Sequence, residues 1–417
     1  MPLKSKKILH LCASDVGGAA IASIRIHTAL LKLGYDSSIL FLSKSTTIPI
    51  VNAFLFEIRN NDVRPIQPVL TLKNYIIEKI TNRYQNALTQ YHKAVEKQQT
   101  FIHPNYFFTS PFSNYDITQS EVYLHADIIH FHWIAGFVDL PSFFSENTKP
   151  IVWTLHDENP ILGGFHYASN DVECPLELVS KNIEFKELKK NVYRNVENLY
   201  LVCPSNWLLR KVNTSKFFNN YTCTMVRNTL DTSIFQPRDK NYSRNIFNLP
   251  IDKKIFLFVA DSLSNIRKGF SDILALANNE KYQDILFLAI GENPKVYEAS
   301  NIRFLGRIEH ELMLSMVYSS ADFFILPSKE DNFPNTILES TCCGTPVLAY
   351  DISDFRCFFE EYQLGFTTQN NTIAAMGELI SDVITLNIDT NKIAETAHRL
   401  FSFENQGKKY ADIYSNL

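Results

Sequence analysis

Asp331 and Glu339 are separated by seven residues and stand where an apolar run gives way to a short helical pattern. An ionised carboxylate only accepts hydrogen bonds, and its two oxygens suit adjacent sugar hydroxyls through charge-assisted contacts. Upstream, Arg267-Lys268-Gly269 closes the run FLFVADSLSNIRKGF. Its planar guanidinium and compact ammonium both suit a phosphate. His156-Asp157 ends the run Val152-Trp-Thr-Leu. There the imidazole could handle a proton or orient a hydroxyl, while the carboxylate could hold its tautomer or bind hydroxyls itself. Gly17-Gly18 follows the first apolar run, where a turn lets backbone approach a ligand closely.

Each feature has a plainer reading. Thr336-Ile-Leu-Glu339 is spaced as a capping box, in which Glu339 would fold back onto the helix start. Arg267 and Lys268 could be solvated cations, His156 a packed strand-end residue, and Gly17-Gly18 a simple turn. His130-Phe-His132 has a spacing that could bind metal, but no further ligands cluster near it in the chain, so packing is the preferred reading.

The elements that would carry these residues alternate between strand and helix. Strands are expected at Lys7 to Cys12, Ser38 to Leu42, Ala126 to Phe131, Pro150 to Leu155, Leu199 to Cys203 and Thr222 to Val226. A second series runs Lys254 to Ala260, Asp284 to Gly291, Ile302 to Gly306, Asp322 to Leu326 and Val347 to Ala349, with helical patterns at Lys268 to Asn278 and Glu309 to Ser320 between them. Such alternation gives doubly wound parallel sheets, which bind ligands outside the carboxyl ends of the strands. The site candidates all follow strand ends. A diphosphate would also be favoured by the free N–H groups at the helix start near Asn335 and Thr336.

At 417 residues the chain exceeds the size at which single cores stop growing, so two domains of roughly 200 residues are expected. The polar linker NTLDTSIFQPRDKNYSRN places the boundary between residues 227 and 228. The second domain then extends to about residue 400, and a helical segment, 401–417, ends the chain. Residues 52–120 lack glycine and read as an insertion of polar helices. A solvated packed helix is preferred there over a surface resting on a membrane or acceptor. A net charge of -4 gives no reason to expect nucleic acid. Seven cysteines without paired spacing suit a reduced cytoplasmic setting. The amino terminus does not read as a signal peptide, and no run approaches the roughly 18 apolar residues needed to span a bilayer.

Taken in order, the Gly-Gly turn, TLHD, VCPSNW, VRNTLD, RKGF, GRI and the acidic segment resemble the retaining family 4 glycosyltransferases, in the branch that builds bacterial surface polysaccharides. That family carries Glu, seven residues, Glu. Here Asp331, preceded by Glu330, takes the first position, and Asn332-Phe333-Pro334-Asn335 replaces the usual glycine-rich turn. Asp is one methylene shorter than Glu, and Pro334 has no N–H to offer a phosphate.

The resemblance implies a GT-B fold, two Rossmann-like domains facing a central cleft whose closure would expel water, with the terminal helix returning to the first domain. It implies a nucleotide diphosphate sugar donor, bound by Glu339 at the ribose and by Asn335, Thr336, Phe333 and Glu330. Arg267, Lys268 and Asp331 would serve the reacting diphosphate sugar. His156, Asp157 and the Gly17-Gly18 turn would meet a glycan or lipid-linked acceptor, with peripheral contact at the inner face of the cytoplasmic membrane. No cofactor or divalent metal is expected. Relatives of this branch carry several cysteines after Gly163-Gly164, whereas Cys174 alone stands nearby here. An epimerase would want a GxGxxG fingerprint at Gly17-Gly18, which is absent. A phosphorylase, or a binding protein without turnover, is the remaining alternative.

Overall fold

The computed structural model describes residues 6–43, 55–57, 107–168, 174–194, 196–292 and 301–417. The helical insertion expected over 52–120 lies largely outside them. The chain divides into two compact units, Met1–Val226 with Tyr410–Leu417, and Arg227–Lys409. The polar linker thus begins the second unit.

In the first unit a parallel sheet is built from β1 (Lys7–Ser14), β2 (Asp36–Ser43), β3 (Leu55–Glu57), β4 (Ile128–Phe131), β5 (Ile151–Thr154), β6 (Leu199–Cys203) and β7 (Thr222–Met225). Its order is β3-β2-β1-β4-β5-β6-β7. The second unit contains β8 (Lys254–Ser262), β9 (Ile285–Glu292), β10 (Ile302–Gly306), β11 (Phe323–Leu326), β12 (Val347–Ala349) and β13 (Gly365–Thr367), in the order β10-β9-β8-β11-β12-β13. Both sheets reverse direction of winding beside their first strand, between β1 and β4 and between β8 and β11. These are the switch points at which doubly wound sheets open a crevice at the strand carboxyl ends.

The central strands are largely apolar because both faces of each sheet are covered. Leu9, Leu11, Ile129, Phe131, Ile151 and Trp153 pack on one face of the first sheet. Ile8, Ile128, Val152 and Val202 pack on the other, against Tyr410, Ile413 and Tyr414 of the terminal helix Phe403–Ser415. In the second sheet Leu257, Leu288 and Phe324 serve one face and Phe256, Phe287 and Ile325 the other.

Several boundaries differ from the expectation. Lys268 to Asn278 is not one helix: a 3-10 turn, Ile266–Lys268, precedes the helix Phe270–Ala277. Gly269 separates them with φ +76, and a Cβ there would lie 2.0 Å from the Pro327 carbonyl oxygen. The terminal segment expected over 401–417 forms the helix Phe403–Ser415, and a separate helix, Thr390–Phe401, precedes it. Strand β13 gave no signal, being three residues beginning at a glycine.

Candidate functional site

In the second unit, the close approach of Gly269 to Pro327 brings the loop after β8 onto the loop after β11. Lys268 Nζ donates to Asp331 Oδ2 at 2.6 Å, and Arg267 Nη1 donates to the Glu330 carbonyl at 2.6 Å while standing 3.5 Å from Asp331 Oδ2. Burial alone would raise the Asp331 carboxyl. The Lys268 and Arg267 charges, with the Asn332 N–H, overcome that and hold it below its ordinary value. The three side chains together therefore carry one net positive charge. Ser353, a non-glycine residue at φ 54, donates its hydroxyl to the Asp331 carbonyl and fixes the loop from the far side.

The helix after this loop spans Asn335–Cys342 with Pro334 as its N-cap. This corrects the capping-box reading: Thr336 lies inside the helix, and proline has no N–H for a reaching carboxylate. Glu339 instead accepts from the Tyr318 hydroxyl at 3.0 Å and is buried. Asn228, the second residue of the unit, donates to Asn335 Oδ1 at 3.0 Å and to the Phe333 carbonyl at 3.4 Å. The Phe333 ring packs against Phe358 and Phe401, and the Arg227 guanidinium lies 5.1 Å from its centroid. The turn Asn332-Phe333-Pro334-Asn335 is thus held by hydrogen bonds and aromatic packing. A further buried carboxylate, Asp272, accepts from Tyr350 at 2.5 Å and pairs with Lys329.

In the first unit, His132, Trp133, Ile134, His156, Asp157 and Asn159 line a small pocket at the ends of β4 and β5. Asp157 accepts from His166 Nδ1 at 2.6 Å and from Trp133 Nε1 at 3.2 Å. Burial would raise this carboxyl, but His166 and the Asn159 N–H bring it below the usual value. Because the pocket loop returns on itself, Asn159 also bonds the Gly164 and Phe165 carbonyls, and the fully buried Lys189 donates to Asn159 O at 2.7 Å and Oδ1 at 2.9 Å. Burial pushes Lys189 down to about 7, partly offset by Asp157. Gly163 admits no Cβ, since one would stand 1.9 Å from the Asn182 carbonyl oxygen.

Gly17 caps the helix Gly18–Lys32 with φ 93, and the space where a Cβ would stand at either glycine is open within 4 Å. Beside them, the Ala13 N–H at the end of β1 donates to the Trp133 carbonyl at 2.7 Å.

His130 and His132 are buried in the sheet, as the packed reading expects, but they are joined by a third histidine. With His10 they form a buried group whose ring nitrogens lie within 4.8 Å of one another. The third member was hidden because it sits on β1, where the parallel register pairs His10 with His130 across a long separation in sequence. A polar residue inside an apolar strand was the available signal. Trp133, Lys189 and Tyr318 left none, since each acts through a tertiary contact, and Asn228 was marked only as part of the VRNTLD motif.

Two doubly wound parallel sheets, each with chemically equipped loops at its switch point, define the class: a GT-B architecture. Residues 239–400 match the family described as Glycosyl transferases group 1, so the expected family resemblance stands and this stretch is a group 1 glycosyltransferase domain. The Escherichia coli O-antigen biosynthesis glycosyltransferase WclY is 26% identical over 272 residues, spanning 59% of this chain and 73% of WclY. The alpha-galactosylglucosyldiacylglycerol synthase of Streptococcus pneumoniae is 25% identical over 258 residues, 57% of this chain and 63% of that enzyme. Sucrose-phosphate synthase from Thermosynechococcus elongatus shares the fold, with a TM-score of 0.67 at 15% identity, covering 99% of this chain and 98% of that one. No helix among the described residues is long and apolar enough to cross a membrane.

Proposed function

We propose that this glycosyltransferase moves a hexosyl unit from a nucleotide diphosphate sugar to a hydroxyl of a glycan or lipid-linked acceptor, with retention of configuration and without a divalent metal. The observation that carries the reading is the cluster of Arg267, Lys268 and Asp331 beside the start of the helix Asn335–Cys342. Asp331 holds Lys268 in place. Arg267, Lys268 and the first helix N–H groups then stabilise the charge that grows on the departing diphosphate as the glycosidic bond breaks. Glu339, steadied on one oxygen by Tyr318, accepts from ribose hydroxyls.

In the first unit, the pocket at His156 and Asp157 receives the acceptor hydroxyl, and the open space at Gly17 and Gly18 lets substrate approach the backbone. Surface polysaccharide assembly fits the O-antigen and glycolipid activities named for the two sequence relatives.

A thermal-shift screen of UDP-, GDP- and ADP-sugars tests the donor site. At least one should stabilise the protein, and the response should shrink in Lys268→Ala and in Glu339→Ala. Unchanged responses in both variants would contradict the assignment. Release of nucleoside diphosphate upon adding lipid-linked or oligosaccharide acceptors, unaffected by a chelator, separates a transferase from a protein that only binds the donor. The anomeric configuration of the product tests retention.

A further inference from the structure

Behind the pocket, three imidazoles stand in a row. His10 Nδ1 lies 2.9 Å from His132 Nε2, and His132 Nδ1 lies 3.0 Å from His156 Nε2. His10 and His132 stack with ring centroids 5.2 Å apart, and His132 and His156 with centroids 5.3 Å apart. The row therefore runs from the interior, where His10 is wholly buried, to the pocket wall formed by His156.

Burial pushes His10 and His132 well below the ordinary imidazole value and His156 to about 4, against a smaller upward pull from Asp157. All three rings are then neutral near pH 7, each with one N–H. Two hydrogen bonds between three such rings permit only two arrangements: every N–H points toward the pocket, or every N–H points away from it.

Two features choose the outward arrangement. His10 Nε2 is buried and makes no hydrogen bond among the described residues. Outward, that nitrogen is a bare lone pair, whereas inward it would be a buried N–H without an acceptor, the rarer defect in folded proteins. The outward row also turns the positive end of its dipoles toward His156, beside the Asp157 carboxylate in the same pocket.

We propose that His10 and His132 are positioning residues that lock His156, in the pocket wall, in its Nδ1–H tautomer and so set how the pocket meets its ligand. This rests on the acceptor reading of the pocket only for what the ligand is.

A metal ion in the group His10, His130 and His132 is the competing occupant. It would have to displace one of the two hydrogen bonds of His130, that between Nδ1 and the Tyr414 hydroxyl at 2.7 Å or that between Nε2 and the Thr154 hydroxyl at 2.8 Å. The group contains three neutral rings and no anionic ligand, which leaves a buried dication uncompensated.

Nitrogen-15 NMR of histidine-labelled protein, with His156 assigned by its loss in His156→Gln, reads the tautomer directly. His156 should show a protonated Nδ1 and a bare Nε2. His132→Leu should release it to a mixture of tautomers, as should His10→Leu to a smaller degree, while His132→Asn, whose amide nitrogen stands near the position of Nδ1, should restore it. In steady-state assays His132→Leu should raise the acceptor KM about tenfold, the scale of one misdirected hydrogen bond, with donor KM unchanged. His156 carrying its proton on Nε2 in the wild-type protein would overturn the proposal. So would stoichiometric metal in the purified protein whose removal shifts the His10, His130 and His132 signals. The tautomer as expected, with acceptor KM unmoved in His156→Gln, would uphold the row and remove the acceptor assignment from the pocket.

Discussion

Two glycines with the same sequence signal do different work, and substitution separates them. Gly269 needs both its left-handed φ of +76 and its missing Cβ, because the Pro327 carbonyl oxygen would stand 2.0 Å from that carbon. Gly269→Ala should therefore destabilise by about 3 kcal/mol or more, as a strained backbone and a rigid backbone clash combine. Chemical denaturation measures this, and a cost under about 1 kcal/mol would mean that the two loops can separate freely. Gly18 has ordinary φ and open space around it, so Gly18→Ala should leave stability within about 1 kcal/mol. If substrate approaches its backbone, the same variant raises a KM. A normal KM would make the pair a turn and nothing more.

The first sheet and its flanking helix bury four neutral imidazoles, His10, His27, His130 and His132, which makes that element sensitive to acid. Each is pushed below its ordinary value chiefly by burial, His27 to about 4. Since the unfolded chain binds these protons first, stability is full above about pH 6.5 and falls as pH drops toward the folded values. For His27 alone the loss between pH 7 and pH 4 is about 3 kcal/mol. Urea midpoints followed from pH 7 to 4 should decline with that slope, and His27→Gln should flatten it. A midpoint constant over this range would show that the rings charge without unfolding.

The strands themselves were legible, because a run such as Leu199–Cys203 is apolar on both faces and bounded by polar residues. Cross-strand register was not, so the meeting of His10 with His130 and His132 escaped notice while His156 and Asp157 did not. In the second unit the cations and carboxylates were visible as types at strand ends. The partners that orient them, Tyr318 on Glu339 and Asn228 on Asn335, follow only from packing.

At the scale of the molecule, each unit has its own sheet and its own apolar clusters, and the proposed donor contacts fall within one of them. Arg267, Lys268, Asp331, Asn335 and Glu339 all belong to Arg227–Lys409, whereas His156 and Asp157 belong to the other unit. A ligand stabilises the state it binds by a free energy set by its concentration, about 2.7 kcal/mol at one hundred times Kd. A nucleoside diphosphate should therefore add hydrogen-exchange protection to β8, β11 and the helix Asn335–Cys342, whose amides open through the unit that holds the contacts. Lys268→Ala should remove most of that gain, because the ammonium supplies charge that no neighbouring side chain replaces at the same position. Protection that concentrates instead on β1, β4 and β5, and persists in Lys268→Ala, would move the diphosphate to the first unit and reverse the assignment of donor and acceptor.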